Sequence, residues 1–164
     1  MLPDEPGPSL IHLPIDPATR LERDALMAIL QQPSIVSRSL IERASQVTFS
    51  NASLAVVCNG LVGALEYLET PDWLDRVVEE VPGPFATLVR ELGLAPLPER
   101  EGRELTLYCI GITTDLIARE LLRRKAELIG QSQRMDAAAE PEKYRALQIE
   151  LVRIEAERRA LRAE

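Results

Sequence analysis

An all-α fold is predicted by three observations. No stretch alternates apolar and polar residues at the two-residue period of a half-buried strand, whereas apolar positions recur at three- and four-residue spacing along most of the chain. Helix formers dominate, and aromatic residues make up only 4% of 164 residues. Finally, the stretch from Arg103 to Ala139 contains no proline, and only Gly111 and Gly130 argue against one continuous helix. The expected architecture is a bundle of about five to six helices whose long helix continues into a protruding C-terminal helical hairpin. The divisions expected are a linker-like lead-in over 1–15, a bundle over 16–118 and a hairpin over 119–164.

The lead-in is proline-rich and acidic, and Leu10, Ile11, Leu13 and Ile15 are available to pin it onto the domain. Helix one follows from Asp16 as cap and Pro17 in the first turn. Leu21, Ala25, Leu26, Ile29 and Leu30 form its apolar face until Gln32-Pro33 stops it. A short second helix is expected over about Ser34 to Ala44. The third, capped near Ser50, shows Leu54, Val57, Cys58, Leu61, Leu65 and Leu68 on one face, and its Gly60 and Gly63 predict the close approach of a neighbour. Thr70-Pro71-Asp72 starts a fourth helix carrying Leu74, Val77, Val78 and Val81, which Pro82 ends. The fifth runs from Pro84 to Leu92 and is expected to terminate at Gly93.

A helix over Arg103 to Ala139 would be roughly 55 Å long at ~1.5 Å per residue, more than the ~40 Å diameter of a compact chain of this size. Its faces exchange roles part-way. Leu105, Cys109, Ile112 and Leu116 line up on a core face that continues as Arg119, Glu120, Arg123, Glu127 and Arg134, which reads as solvent-exposed. The opposite face stays apolar through Ile110, Ile117, Leu121, Leu128 and Met135. Its partner is the last helix, Glu142 to Glu164, starting after Pro141. That helix offers Tyr144, Leu147, Leu151, Ile154 and Leu161 as a hairpin seam, interrupted by Arg158. A second, shallower stripe of Ile149, Val152, Ala156, Ala160 and Ala163 lies almost opposite. Two readings stand for it: alanine chosen for helix propensity and left in solvent, or a docking face for another protein.

Charge is unevenly spread. The net is −7, and residues 1–98 carry all of it, with 6 basic and 13 acidic side chains. No broadly basic surface exists for autonomous binding to duplex DNA, so strong direct nucleic-acid binding is not expected. The cluster Arg119, Arg123, Arg124 and Lys125 is interleaved with Glu120 and Glu127 at helical spacing, as on a salt-bridged solvated face. Catalysis has little to work with. His12 is the sole histidine and sits in the lead-in, the serines have no histidine partner, and no glycine-rich phosphate loop is present. Cys58 and Cys109 match no metal or redox spacing and read as buried thiols suited to a reducing cytoplasm. No catalytic, cofactor or metal residue is therefore assigned. The amino terminus has neither signal-peptide nor transit-peptide character, and no apolar run approaches membrane-spanning length.

Three stretches carry a family resemblance: Arg23-Asp-Ala-Leu-Met-Ala-Ile-Leu-Gln-Gln-Pro33, Phe49-Ser-Asn-Ala-Ser-Leu-Ala-Val-Val57, and Tyr144-Arg-Ala-Leu147 through Glu150-Leu-Val-Arg-Ile154 to Arg158-Arg159-Ala-Leu161. In order and spacing the chain resembles the C-terminal, helicase-interacting domain of bacterial DnaG-type primases, particularly actinobacterial ones. The resemblance implies a bundle followed by a hairpin that docks on the N-terminal domains of the hexameric replicative helicase. It implies a second contact with single-stranded-DNA-binding protein, and a cytoplasmic place at the replication fork in the nucleoid. It further implies a fragment unable to make primers, because the zinc ribbon and acidic polymerase core of a whole primase are not among these residues. The partner-binding residues are then expected to be Ile149, Val152, Arg153, Ala156, Arg159 and Ala160. Two other readings remain open here: the N-terminal domain of the helicase itself, which shares the bundle-plus-hairpin plan, and a small helical regulatory or ligand-binding domain.

Overall fold

The structure, a computed structural model, describes residues 7–163. Among these it has eight α-helices, three short 3-10 turns and no strand. The chain divides into two compact units, one ending at Leu116 and one beginning at Ile117.

The first unit is a helical bundle. α1 (Pro17–Gln31) opens as expected, with the Asp16 carboxylate accepting from the Thr19 amide at 3.0 Å and from the Thr19 hydroxyl at 2.8 Å. The expected second helix is instead two. α2 (Pro33–Val36) and α3 (Arg38–Ala44) are separated by Ser37, whose φ of 85° no helix tolerates. The Ser37 hydroxyl caps α3 by accepting from the Leu40 amide at 3.4 Å. α4 (Ala52–Gly63) is capped by Asn51, one residue later than expected, and stops before Leu65 and Leu68, which belong to a 3-10 turn (Leu65–Tyr67) and its exit.

α5 (Trp73–Glu80) and α6 (Ala86–Leu94) complete this layer; a 3-10 turn, Gly83–Phe85, takes the place of the expected first turn of α6. α4 packs on α5, α5 on α6, and α6 on α1. The glycines of α4 admit that packing: a Cβ on Gly60 would collide with the Val81 side chain, and one on Gly63 would lie 2.6 Å from the Glu80 carboxylate. Gly93 does not end its helix. It lies inside α6, where a Cβ would fall 2.5 Å from Leu74 on α5, so glycine serves close packing there and not a C-terminal cap. The α1 carboxyl end is fastened by Gln31, whose amide donates to the Leu92 and Ala95 carbonyls at 2.8 and 2.7 Å.

Leu26, Ile41, Leu54, Val57, Leu61, Val77, Leu88 and Leu92 make up the centre of the core, each no more than 1% exposed. Trp73 is buried with them, although no periodic pattern marked it. One charged side chain is sealed in as well. Glu22 on α1 is 0% exposed, and its carboxylate accepts from the Ser50 amide and hydroxyl, both at 2.8 Å, and from the Asn51 amide at 3.0 Å. It thereby neutralises the amide-rich start of α4 from a neighbouring helix. The lead-in departs from an extended strand by a 3-10 turn, Leu10–His12. Of its four expected anchors only Leu10 and Leu13 are partly covered: three residues apart, they share one face of the turn, while Ile11 on another face is 82% exposed and Ile15, beyond the turn, 84%. Residues 1–6 lie outside the described residues.

α7 (Gly102–Arg134) supplies Leu105, Cys109 and Leu116 to the first unit's core, as the spacing predicts; Ile112 is only half-buried, and Thr113 takes a fully buried place. The Thr113 hydroxyl is satisfied by the Cys109 carbonyl one turn back, at 2.9 Å. The helix ends at Arg134, five residues short of the expected Ala139. Asp136 explains the stop: its carboxylate accepts from the Ala138 amide at 3.0 Å, and its carbonyl from the Ala139 and Glu140 amides at 3.1 and 3.0 Å.

The second unit is an antiparallel helical hairpin, formed by α7 from Ile117 onward and by α8 (Pro141–Ala163). Pro141 occupies the first position of α8, where its missing N–H costs nothing.

Candidate functional site

The hairpin is held along one seam and flanked by ions. Ile117, Leu121, Ile154 and Leu161 are buried, at 1–4% exposure. Leu128, Met135, Tyr144, Leu147 and Leu151 are half-buried, because two helices alone cover a residue on one side only. Met135 lies just past the end of α7, in the turn. Ion pairs between described residues cross from one helix to the other. Arg124 reaches Glu150 at 3.2 Å, and Lys125 reaches Glu155, which also receives Arg158 at 2.8 Å. Hydrogen bonds from Lys125 and then Arg158 hold the Glu155 carboxyl below the usual carboxylate range. Arg158, which interrupts the seam, is thus only 18% exposed while its charge is met.

Glu120 departs from expectation. Helical spacing places it on a solvated face, yet it is only 9% exposed and takes a two-pronged bond from Arg123 at 2.7 and 2.9 Å. The same arginine also reaches Glu127, and the hydrogen bond to Glu120 foremost holds the Arg123 guanidinium firmly charged within a salt-bridged row on α7.

The outward stripe of α8 is where the six expected contact residues lie. Ile149 is 56% and Val152 70% exposed, and Arg153, Ala156, Arg159 and Ala160 are exposed too. Arg153 folds back to Glu150 at 3.3 Å. α7 adds Leu122 and Ile129, 48% and 37% exposed, which the sequence reading missed by assigning that helix only a core face and a seam face. A shallow apolar groove of about 340 Å³ near the turn is lined by Leu128, Met135, Ala146 and Leu147, with Gln131, Lys143 and Glu150 at its rim. Such a surface can hold a protein side chain or helix by apolar contact and charge pairing. It offers no nucleophile with a base beside it. Among the described residues no group of carboxylates, histidines and thiols is placed to hold a metal ion, and no helix is long and apolar enough to cross a membrane. Cys58 and Cys109 are buried, and burial pushes the Cys58 thiol up to about 12.

Comparison with known proteins gives the family of the chain. Residues 22–147 match the family model described as DNA primase DnaG DnaB-binding. The chain belongs to this DnaB-binding family of DnaG primases. A DNA primase of Mycolicibacterium smegmatis is 26% identical over 152 residues, covering 90% of this chain and 24% of that protein. The chain thus spans about a quarter of the curated relative it matches. Among solved structures, the helicase binding domain of primase from Mycobacterium tuberculosis superposes with a TM-score of 0.70 at 28% identity, covering 87% of this chain and 89% of that one. Family and fold agree with the expectation of a non-catalytic, all-helical interaction domain. They give no support to the reading as the helicase's own N-terminal domain.

Proposed function

We propose that the hairpin docks on the N-terminal domains of the hexameric replicative helicase through the outer stripe of α8, and so couples primer synthesis by the parent protein to the replication fork. The observation that carries this is the exposure of Ile149 and Val152, 56% and 70%, on a helix whose other apolar face is already occupied by the seam. Ala156 and Ala160 continue the stripe with small side chains that let a partner helix approach closely, and Arg153 and Arg159 lie at its edge to meet acidic groups. In this reading the bundle over 16–118 is the folded support and the hairpin over 119–164 the adaptor. A contact with single-stranded-DNA-binding protein in the nucleoid is a separate part of the proposal, tested by titrating that protein against the chain.

The decisive experiment is a titration of the chain and its Ala156→Glu variant against the isolated N-terminal domain of the helicase. A carboxylate at the centre of the contact is expected to lower affinity at least tenfold with no change in melting temperature, since Ala156 is exposed in the free chain. Arg159→Ala is expected to weaken binding by about 1 kcal/mol or less and to reduce its salt dependence. Wild-type affinity for Ala156→Glu would return the stripe to solvent and move the interface to the turn between Gly130 and Pro141.

A further inference from the structure

The cross-helix ion pair Lys125–Glu155 marks one side of the hairpin, and that side gathers apolar residues from both helices. Leu122 and Ile129 stand three residues before and four after Lys125 on α7, so they share its side of the helix. Val152 and Arg159 stand in the same relation to Glu155 on α8. The antiparallel pairing sets Val152 about level with Lys125, between the heights of Leu122 and Ile129. Leu122, Ile129 and Val152 are 48%, 37% and 70% exposed, so this side carries a triangle of uncovered apolar side chains around a neutralised ion pair. Leu122 and Ile129 lie ~10 Å apart along the helix at ~1.5 Å per residue. That is two turns, the length over which one partner helix presents residues at i, i+3 or i+4, and i+7.

We infer that this two-helix face, and not the α8 stripe alone, is the seat of the helicase helix, with Leu122 and Ile129 of α7 as part of the contact. The inference rests on the docking reading given above and extends it onto the other helix. The occupant is an amphipathic helix of the replicative helicase with an acidic edge. Apolar residues fill the triangle, and the acidic edge faces Arg159 and a hairpin whose net charge over residues 117–164 is +2, against −9 for residues 1–116. A face made from both helices exists only while the hairpin is closed. Recognition therefore reads the paired state of α7 and α8, which a single-helix stripe would not.

The test uses the full chain and the purified helicase hexamer, with affinity and melting temperature measured for Leu122→Glu, Ile129→Glu, Ala156→Glu and Leu107→Glu. Leu107 is 59% exposed on the first unit and serves as the control for an added surface charge. Leu122→Glu and Ile129→Glu are each expected to lower affinity at least tenfold at unchanged melting temperature, and Leu107→Glu to leave it within twofold. If either α7 variant melts early, Leu122→Gln and Ile129→Gln replace them, with a threefold or greater loss expected. Wild-type affinity for the α7 variants together with a loss for Ala156→Glu overturns the two-helix face and leaves the α8 stripe standing. Wild-type affinity for all of them overturns both.

Discussion

Replacing Glu22 tests whether a buried carboxylate fastens α1 to the start of α4. Its side chain is 0% exposed and accepts three hydrogen bonds from Ser50 and Asn51, two of them from backbone amides that open α4. Glu22→Ala deprives both amides of their acceptor beside an exposed Ser50 and a half-buried Asn51, so water meets part of the loss, and each donor left unmet costs at most about 1–3 kcal/mol. The void left by the lost side chain adds to this, while removal of a buried charge subtracts from it. A net loss of about 2–4 kcal/mol is the result, most of it from the void and the two unmet amides. Glu22→Gln keeps the volume and a carbonyl acceptor but loses the charge, so about 1–2 kcal/mol is expected from it. Urea unfolding followed by far-ultraviolet circular dichroism gives both numbers from the midpoint shift at constant slope. A loss below ~1 kcal/mol for Glu22→Ala, or equal losses for the two variants, refutes the argument that charge-assisted capping is what this residue supplies.

The helix glycines separate into two kinds. Gly60→Ala is expected to destabilise by about 1–3 kcal/mol because its Cβ meets the stiff Val81 side chain, whereas Gly111→Ala, with nothing within 4 Å of the new atom, should stabilise by about 0.5–1 kcal/mol; melting curves of the two variants decide. In the seam, Ile154→Ala should cost more than Leu151→Ala, about 2–4 against 1–2 kcal/mol, since Ile154 is 1% exposed and Leu151 half-buried. Hydrogen exchange checks this, with faster amides expected within residues 117–164. Asp16 responds to acid: the Thr19 amide and hydroxyl hold its carboxyl below the ordinary 3.8. Its capping is therefore complete above that value and is lost as pH falls through the lowered one. Asp16→Asn, which caps without titrating, should flatten that part of the stability profile between pH 2 and 5.

Much of the fold was legible because its signals are local. Asp16-Pro17 and the approach of a neighbour to Gly60 and Gly63 involve residues within a turn of one another or a missing side chain, and behave in the structure as their chemistry dictates; α5 starts directly after Thr70-Pro71-Asp72, although the Asp72 side chain makes no capping bond. Failures came where a distant partner or a single backbone angle decides. Nothing near Ser37 announces a φ of 85°, and the Ser34 to Ala44 pattern reads equally well as one helix. Gly93 carries the usual sign of a helix end, and only the nearness of Leu74 on another helix gives it a different task. Glu22 looks like any surface carboxylate until Ser50 and Asn51, 28 and 29 residues away, close over it. At the candidate site the α8 stripe could be traced from spacing. Leu122 and Ile129 could not, because an apolar residue between two recognised faces gains meaning only once the pairing of the helices is known.

The ion pairs Arg124–Glu150 and Lys125–Glu155 favour one alignment of the hairpin's helices. Slide α8 by one turn in one direction and Lys125 comes opposite Arg158 or Arg159, while Arg124 comes opposite Arg153. Slide it the other way and both cations face Leu151, Val152, Ala146 or Leu147. The apolar seam by itself repeats every few residues and would accept such displacements at modest loss. The charges make one neighbouring alignment repulsive and leave the other without its ion pairs, a preference of about 1 kcal/mol or less for each of these partly exposed pairs. A hairpin closed out of register forgoes both pairs, so charge as well as apolar spacing selects the alignment that brings Leu122, Ile129 and Val152 to one side.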